Sequence, residues 1–128
     1  MHLIVTRPRS ESEALAVVLR NLGHQVLIEP MLTIQPIEDA AVDLADAAAL
    51  LLTSANGLRA LAQTTARREL PVLAVGAATA AAAREAGFTD VATAGGDVVA
   101  LAALVRQRFR PNDGVLVHVV GSAVAGDL

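Results

Sequence analysis

Four short apolar runs each end in a small hydroxylated residue or a glycine and pass at once into a helical pattern. They are Ile4-Val5-Thr6-Arg7, Leu51-Leu52-Thr53-Ser54, Ala74-Val75-Gly76 and Val119-Val120-Gly121. Strand followed directly by helix, several times over, predicts an α/β fold: an open, mostly parallel sheet with helices on both faces, built from βαβ units. In such a sheet the carboxyl ends of the strands carry the βα turns, whose free N–H groups and helix N-termini attract anionic groups. The chain therefore reads as a binder of something negatively charged.

At 128 residues the chain is long enough for one ordinary core and too short for two complete α/β domains. Hydrophobic residues make up 54% and charged residues 18%, so disorder is excluded and an aliphatic interior is expected. Two Phe and no Tyr or Trp leave no stacking platform for bases or sugars. The net charge is −3 and every basic residue is Arg, so no nucleic-acid footprint is visible. Without Lys, Schiff-base and P-loop chemistry also drop out. The absence of Cys removes disulfides, thiolate metal sites and thiol nucleophiles. The start Met1-His2-Leu3-Ile4-Val5 runs straight into a strand pattern rather than a secretion signal, and the apolar stretches are broken too early to span a membrane. A cytoplasmic location, with no membrane partner, is the expectation.

Residues 2–6 read as a buried strand, and Ser10-Glu11-Ser12-Glu13 predicts a capping box in which Ser10 and Glu13 satisfy each other's N–H groups. The helix that follows is expected to bury Leu15, Val18, Leu19 and Leu22 and to stop at Gly23, before a second strand from Gln25 to Glu29. Pro30 to Pro36 alternates like an extended connector between prolines, which divides the chain into residues 1–35 and 36–128. A short acidic helix is expected around Asp39 to Asp46. A regular series then follows: strand Ala49–Thr53, helix Asn56–Thr64, strand Val72–Val75, helix Ala78–Ala86, strand Asp90–Ala92, helix Val98–Arg108, a Pro111-Asn112-Asp113-Gly114 turn and strand Val115–Val120. The segments Leu19 to Val26 and Ala83 to Val91 look alike, each a helix end, a glycine and a strand start. Gly121 to Leu128 begins what reads as one more helix, so the domain is expected to be cut short.

Candidate binding residues sit where strands give way to helices. Thr6 and Arg7 could meet a carboxylate, Arg bidentately, or could simply close a strand before Pro8. Thr53, Ser54 and Asn56 offer several donors at one helix N-terminus, although Ser54 or Asn56 would serve equally as a plain N-cap. Gly76 would let the backbone approach a ligand that Thr79 faces from the first helical turn, and Ser122 repeats the pattern after Gly121. Gly95-Gly96-Asp97 reads as a turn and an N-cap. His2, His24 and His118 are scattered, with no metal-ligand spacing, and His118 fits a packed strand position. No nucleophile elbow, Walker loop or dinucleotide fingerprint occurs.

In order and spacing, Val5-Thr6-Arg7-Pro8, Leu52-Thr53-Ser54-Ala55-Asn56-Gly57, Val75-Gly76 with Thr79-Ala80, and Val117-His118-Val119-Val120-Gly121-Ser122 with Ala125-Gly126-Asp127-Leu128 resemble the uroporphyrinogen-III synthase family over the whole chain. The resemblance implies two flavodoxin-like α/β domains joined by two linkers. Residues 1–35 would open one domain, residues 36–128 would form most of the other, and the chain would be about the first half of the enzyme. It implies closure of the linear tetrapyrrole hydroxymethylbilane to uroporphyrinogen III, with loss of water, inversion of the last pyrrole ring and no metal or cofactor. It carries substrate contact onto Thr6, Thr53, Ser54, Gly76 and Thr79, with Asn56 and Ser122 beside them, and assigns no residue to hydroxyl departure.

This chain departs from the family pattern in two places. Val120 stands where many members have an Arg, and the tyrosine thought to assist hydroxyl departure has no counterpart, since the chain has no Tyr. Residues 1–128 by themselves are therefore expected to be inactive. Two other classes fit the strand–helix alternation, a non-catalytic signalling or small-anion-binding module and a flavin binder. The first lacks the acidic strand ends and late Lys of a receiver, and the second lacks aromatics to sandwich the ring. If the first domain is incomplete, the apolar faces of residues 2–29 should be open, and self-association detectable by light scattering is expected.

Overall fold

Among the described residues the alternation seen in the sequence becomes six strands and four helices: β1 (His2–Val5), α1 (Arg9–Asn21), β2 (Gln25–Ile28), β3 (Ala47–Leu52), α2 (Ala55–Thr64), β4 (Val72–Ala74), α3 (Ala77–Glu85), β5 (Val91–Thr93), α4 (Val98–Arg108) and β6 (Val115–Val119). These come from a computed structural model that describes residues 1–38 and 40–121. Ser122 and the predicted last helix lie outside the described residues. The chain divides into two compact units, Met1–Glu38 and Asp39–Leu128.

In the second unit four parallel strands lie in the order β5-β4-β3-β6, an open flavodoxin-like sheet. Successive residues of a strand point to opposite faces. Leu50 and Leu52 of β3, with Val72 of β4, therefore pack with Leu58 and Leu61 of α2 and Ala82 and Ala83 of α3. Leu51 and Leu73 face the other way and meet Leu101 of α4. Leu50, Leu52, Leu58, Leu61, Leu73 and Leu101 are all at most 2% exposed. Burial of each such side chain contributes about 2 kcal/mol.

In the first unit β1 and β2 pair in parallel, from His2 opposite Gln25 to Val5 opposite Ile28, with α1 as the crossover. Here the structure corrects the expected helix face. Ser12 and Ala16 are buried and Leu19 is half-buried, while Leu15, Val18 and Leu22 are exposed. Two strands about 4.8 Å apart are narrower than a helix of about 10 Å, so only a thin stripe of α1 is covered, and small residues occupy it. Ile4 and Leu27, on the opposite sheet face, are exposed as well.

The predicted capping box is also absent. Pro8 is the N-cap of α1 and has no capping side chain, which places Ser10 inside the first turn, and Ser12 Oγ instead donates to the Arg7 carbonyl at 2.7 Å. Nor do the described residues between 40 and 46 form a helix. Asp43 Oδ1 accepts from the Ala45 N–H at 2.9 Å and Leu44 is buried in the core, so the aspartate makes a local turn that leads into β3.

The two similar segments fold alike. Gly23 and Gly87 take φ of +85° and +98°, and each follows its helix in a Schellman arrangement. Gly23 N–H donates to Arg20 O and His24 N–H to Leu19 O, just as Gly87 N–H donates to Arg84 O and Phe88 N–H to Ala83 O. In both, the arginine of the last turn reaches over to the next strand: Arg20 to the Val26 carbonyl and Arg84 to the Val91 carbonyl.

A third arginine ties two helix ends together. Arg68 donates to the carbonyls of Ala62, Thr65, Arg67 and Ala86, at 2.7–3.0 Å, and lies 5.1 Å from the centre of the Phe88 ring. A cation at the C-terminal carbonyls of α2 and α3 is where the helix dipoles favour one. Replacing Arg68 by Ala is expected to lower unfolding stability by about 3 kcal/mol in a urea titration. Arg106→Ala, exposed on α4, should cost under about 1 kcal/mol.

Candidate functional site

The register of the four-stranded sheet sets its carboxyl ends level. Leu52 lies opposite both Ala74 and Val119, and Ala74 opposite Thr93. Backbone bonds carry this alignment past the strands, from Val75 N–H to Leu52 O, Ala94 N–H to Ala74 O and Gly96 N–H to Val75 O, at 2.8–2.9 Å. Thr53-Ser54, Gly76, Gly95-Gly96 and Val120-Gly121 therefore emerge along one rim. From β3 the chain builds outward through β4 and β5, then returns to the other side of β3 with β6. That reversal makes the space above the ends of β3 and β6 the topological switch point, where open α/β sheets hold ligands.

Thr53, Ser54 and Asn56 stand at this point, the first two as the exit of β3 and the third in the first turn of α2. Ser54 is extended and caps α2, its Oγ accepting from the Gly57 N–H at 3.0 Å, which leaves the hydroxyl proton to donate outward. Thr53 is half-buried, and its hydroxyl makes no hydrogen bond among the described residues. Asn56 Oδ1 accepts from Arg59 Nη1 at 3.2 Å. Gly57 helps the turn fit. A Cβ there would lie 3.2 Å from the Val119 carbonyl and 3.3 Å from Ser54 Oγ, tighter than ordinary contact, so a glycine lets α2 start this close to the end of β6 without displacing either.

Gly76 caps α3 in an extended conformation, φ −146°, and a Cβ placed on it would meet nothing within 4 Å. The fold does not demand a glycine there, and the space in front of its backbone is open. Thr79, in the first turns of α3, is only 5% exposed. Asp97 acts as the predicted N-cap, accepting from the Ala100 N–H at 2.8 Å. The donors of this rim are hydroxyls, main-chain N–H groups and the N-termini of α2 and α3, with the Arg59 guanidinium beside Asn56.

Thr6 and Arg7 belong to the other unit, at the carboxyl end of β1. Thr6 is exposed, and its carbonyl accepts from the Met31 N–H at 3.0 Å. Arg7 is committed, since its Nη2 lies 2.7 Å from Glu11 Oε2 one turn along. Sequence reading did not single out Arg9, which lines an open groove of about 500 Å³ together with Ser10 and Thr33. Spacing alone could not separate two arginines on either side of Pro8. Ser122 lies outside the described residues. Among those described, no three His, Cys, Asp or Glu residues cluster, and no helix is long and apolar enough to cross a membrane.

His118 lies near the end of β6 opposite Leu51, and its Nε2 is buried with no hydrogen-bond partner among the described residues. Burial pushes its pKa below the ordinary 6.5, so the folded chain holds a neutral imidazole. A depressed histidine pKa supports folding fully above the unfolded value and less as pH falls below it. The melting temperature of the wild type should therefore drop between pH 7.5 and 5.5 by more than that of His118→Leu. In the same measurement Gly57→Val should unfold earlier at both pH values, because the Val119 carbonyl is backbone and cannot yield.

The family model for uroporphyrinogen-III synthase HemD matches residues 13–128, which takes in the whole four-stranded sheet and its rim. A search of curated proteins found no match. With nine-tenths of the sequence inside that match, the chain belongs to the uroporphyrinogen-III synthase family.

Proposed function

We propose that the protein works as a uroporphyrinogen-III synthase, a lyase that closes hydroxymethylbilane with loss of water in the cytoplasm. The observation that carries this reading is the rim of donors, where Thr53, Ser54 and the N-termini of α2 and α3 border the open space before Gly76. Hydroxymethylbilane is a flexible chain of four pyrroles bearing eight carboxylates. An enzyme for it must fold a polyanion into a near-closed loop more than it must move protons.

Departure of the terminal hydroxyl as water leaves an azafulvene cation on the first ring. The substituted carbon of the last pyrrole attacks that cation and forms a spiro intermediate. Fragmentation and reclosure through the neighbouring carbon then invert the ring, and loss of a proton restores aromaticity. Fixed neutral donors suit this sequence, because they grip carboxylates without quenching the cation as a carboxylate nucleophile would. Thr53 and Ser54 hydroxyls, the first-turn N–H groups of α2 and the Gly76 backbone are assigned to carboxylate and ring contacts. Thr6 provides the corresponding donor in the first unit.

The gene product that contains this chain should convert hydroxymethylbilane to the type III isomer in a coupled assay. Formation of the spontaneous type I isomer alone would reject the reading. Thr53→Val should lower kcat/KM by roughly tenfold to a hundredfold, as loss of one hydrogen bond to a charged group does. Gly76→Ala should weaken the substrate interaction while shifting stability by less than about 1 kcal/mol, since the fold leaves room for the methyl.

A further inference from the structure

The cavity in the first unit combines two chemistries. Pro8, Pro30, Leu32 and Ile34 give it apolar walls, and Arg9, Ser10 and Thr33 bring a guanidinium and two hydroxyls to the same space. Its volume of about 500 Å³ suits a small organic ligand.

The polar groups are uncommitted. Arg7 spends its charge on Glu11, whereas Arg9 is exposed and makes no ion pair or side-chain hydrogen bond among the described residues. The Pro8 carbonyl takes the N–H groups of Glu11 and Ser12, both at 3.0 Å, and no protein acceptor meets those of Arg9 and Ser10 among the described residues. Free cation, free N–H groups and hydroxyls together ask for a carboxylate, which Arg grips in a planar fork. The proline and aliphatic walls ask for something flat and apolar attached to it.

The geometry points to a subsite for one pyrrole ring of the substrate with its acid arms, in which Arg9 holds a carboxylate and the ring lies along Pro30, Leu32 and Ile34. This rests on the function proposed above and adds to it a residue that sets which part of the tetrapyrrole docks on the first unit. A bare anion would use the same donors without the walls, so ring and acid must be tested apart.

The probe is a single pyrrole carrying acetate and propionate arms, titrated into the 128-residue chain and followed by amide chemical shifts. Glutarate and an uncharged alkylpyrrole serve as comparisons. Shifts should concentrate at residues 8–10 and 30–34, and the pyrrole acid should bind at least tenfold more tightly than either comparison. Arg9→Gln should weaken it at least tenfold, Arg9→Lys less, and Arg106→Gln not at all. Equal binding of glutarate, shifts confined to other residues, or unchanged affinity in Arg9→Gln would each overturn the subsite. Cyclase activity reads out separately. Type III product without Arg9-dependent binding sinks the subsite and leaves the function standing, and Arg9-dependent binding with only type I product does the reverse.

Discussion

Strand β3 is the constraint on which the second unit depends. It pairs with β4 on one side and β6 on the other, and Ala49 through Leu52 are buried on both faces. A strand in that position has no solvent side, so it must be aliphatic throughout and parallel neighbours must shield it with helices above and below. Removal of one of its leucines would open a cavity felt by α2 and α3 or by α4, depending on which face loses the side chain.

The same strand positions the chemistry. Because the sheet's order reverses at β3, the chain leaves β3 and β6 on either side of the reversal, and Gly57 lets α2 begin within contact of Val119. Thr53 and Ser54 leave the buried end of β3 directly into the turn at the switch point. A rigid support beneath a donor-rich turn is what a site for a flexible ligand requires, since the ligand and not the protein must surrender its freedom.

Arginine, the chain's sole basic residue type, is divided between two tasks. Arg20, Arg68 and Arg84 are spent on backbone carbonyls at helix ends, where the planar fork can reach several acceptors at once. Arg67 does the same at the Leu44 carbonyl and pairs with Glu69, whose carboxyl it holds below the usual range. Arg59 stays beside Asn56 at the rim of the second unit, and Arg9 lines the groove of the first.

Local chemistry was legible in the residues themselves. The strand–helix alternation, the glycine stops at Gly23 and Gly87, the Asp97 cap and the turn before Gly114 all follow from short-range backbone preferences that need no partner. So did the N-cap at Ser54, because a hydroxyl between an aliphatic run and a helical pattern is placed to accept from the first free N–H groups. What only the tertiary structure decided were matters of neighbours. It set α1 on Ser12 and Ala16 rather than its leucines, because two strands cover only part of a helix. It buried Thr79, paired Arg7 with Glu11 and gave Arg9 no partner among the described residues. Sequence spacing says which residues lie near one another along a helix or strand, but burial and pairing depend on how wide a surface the rest of the chain presents, and that is settled only when the elements pack.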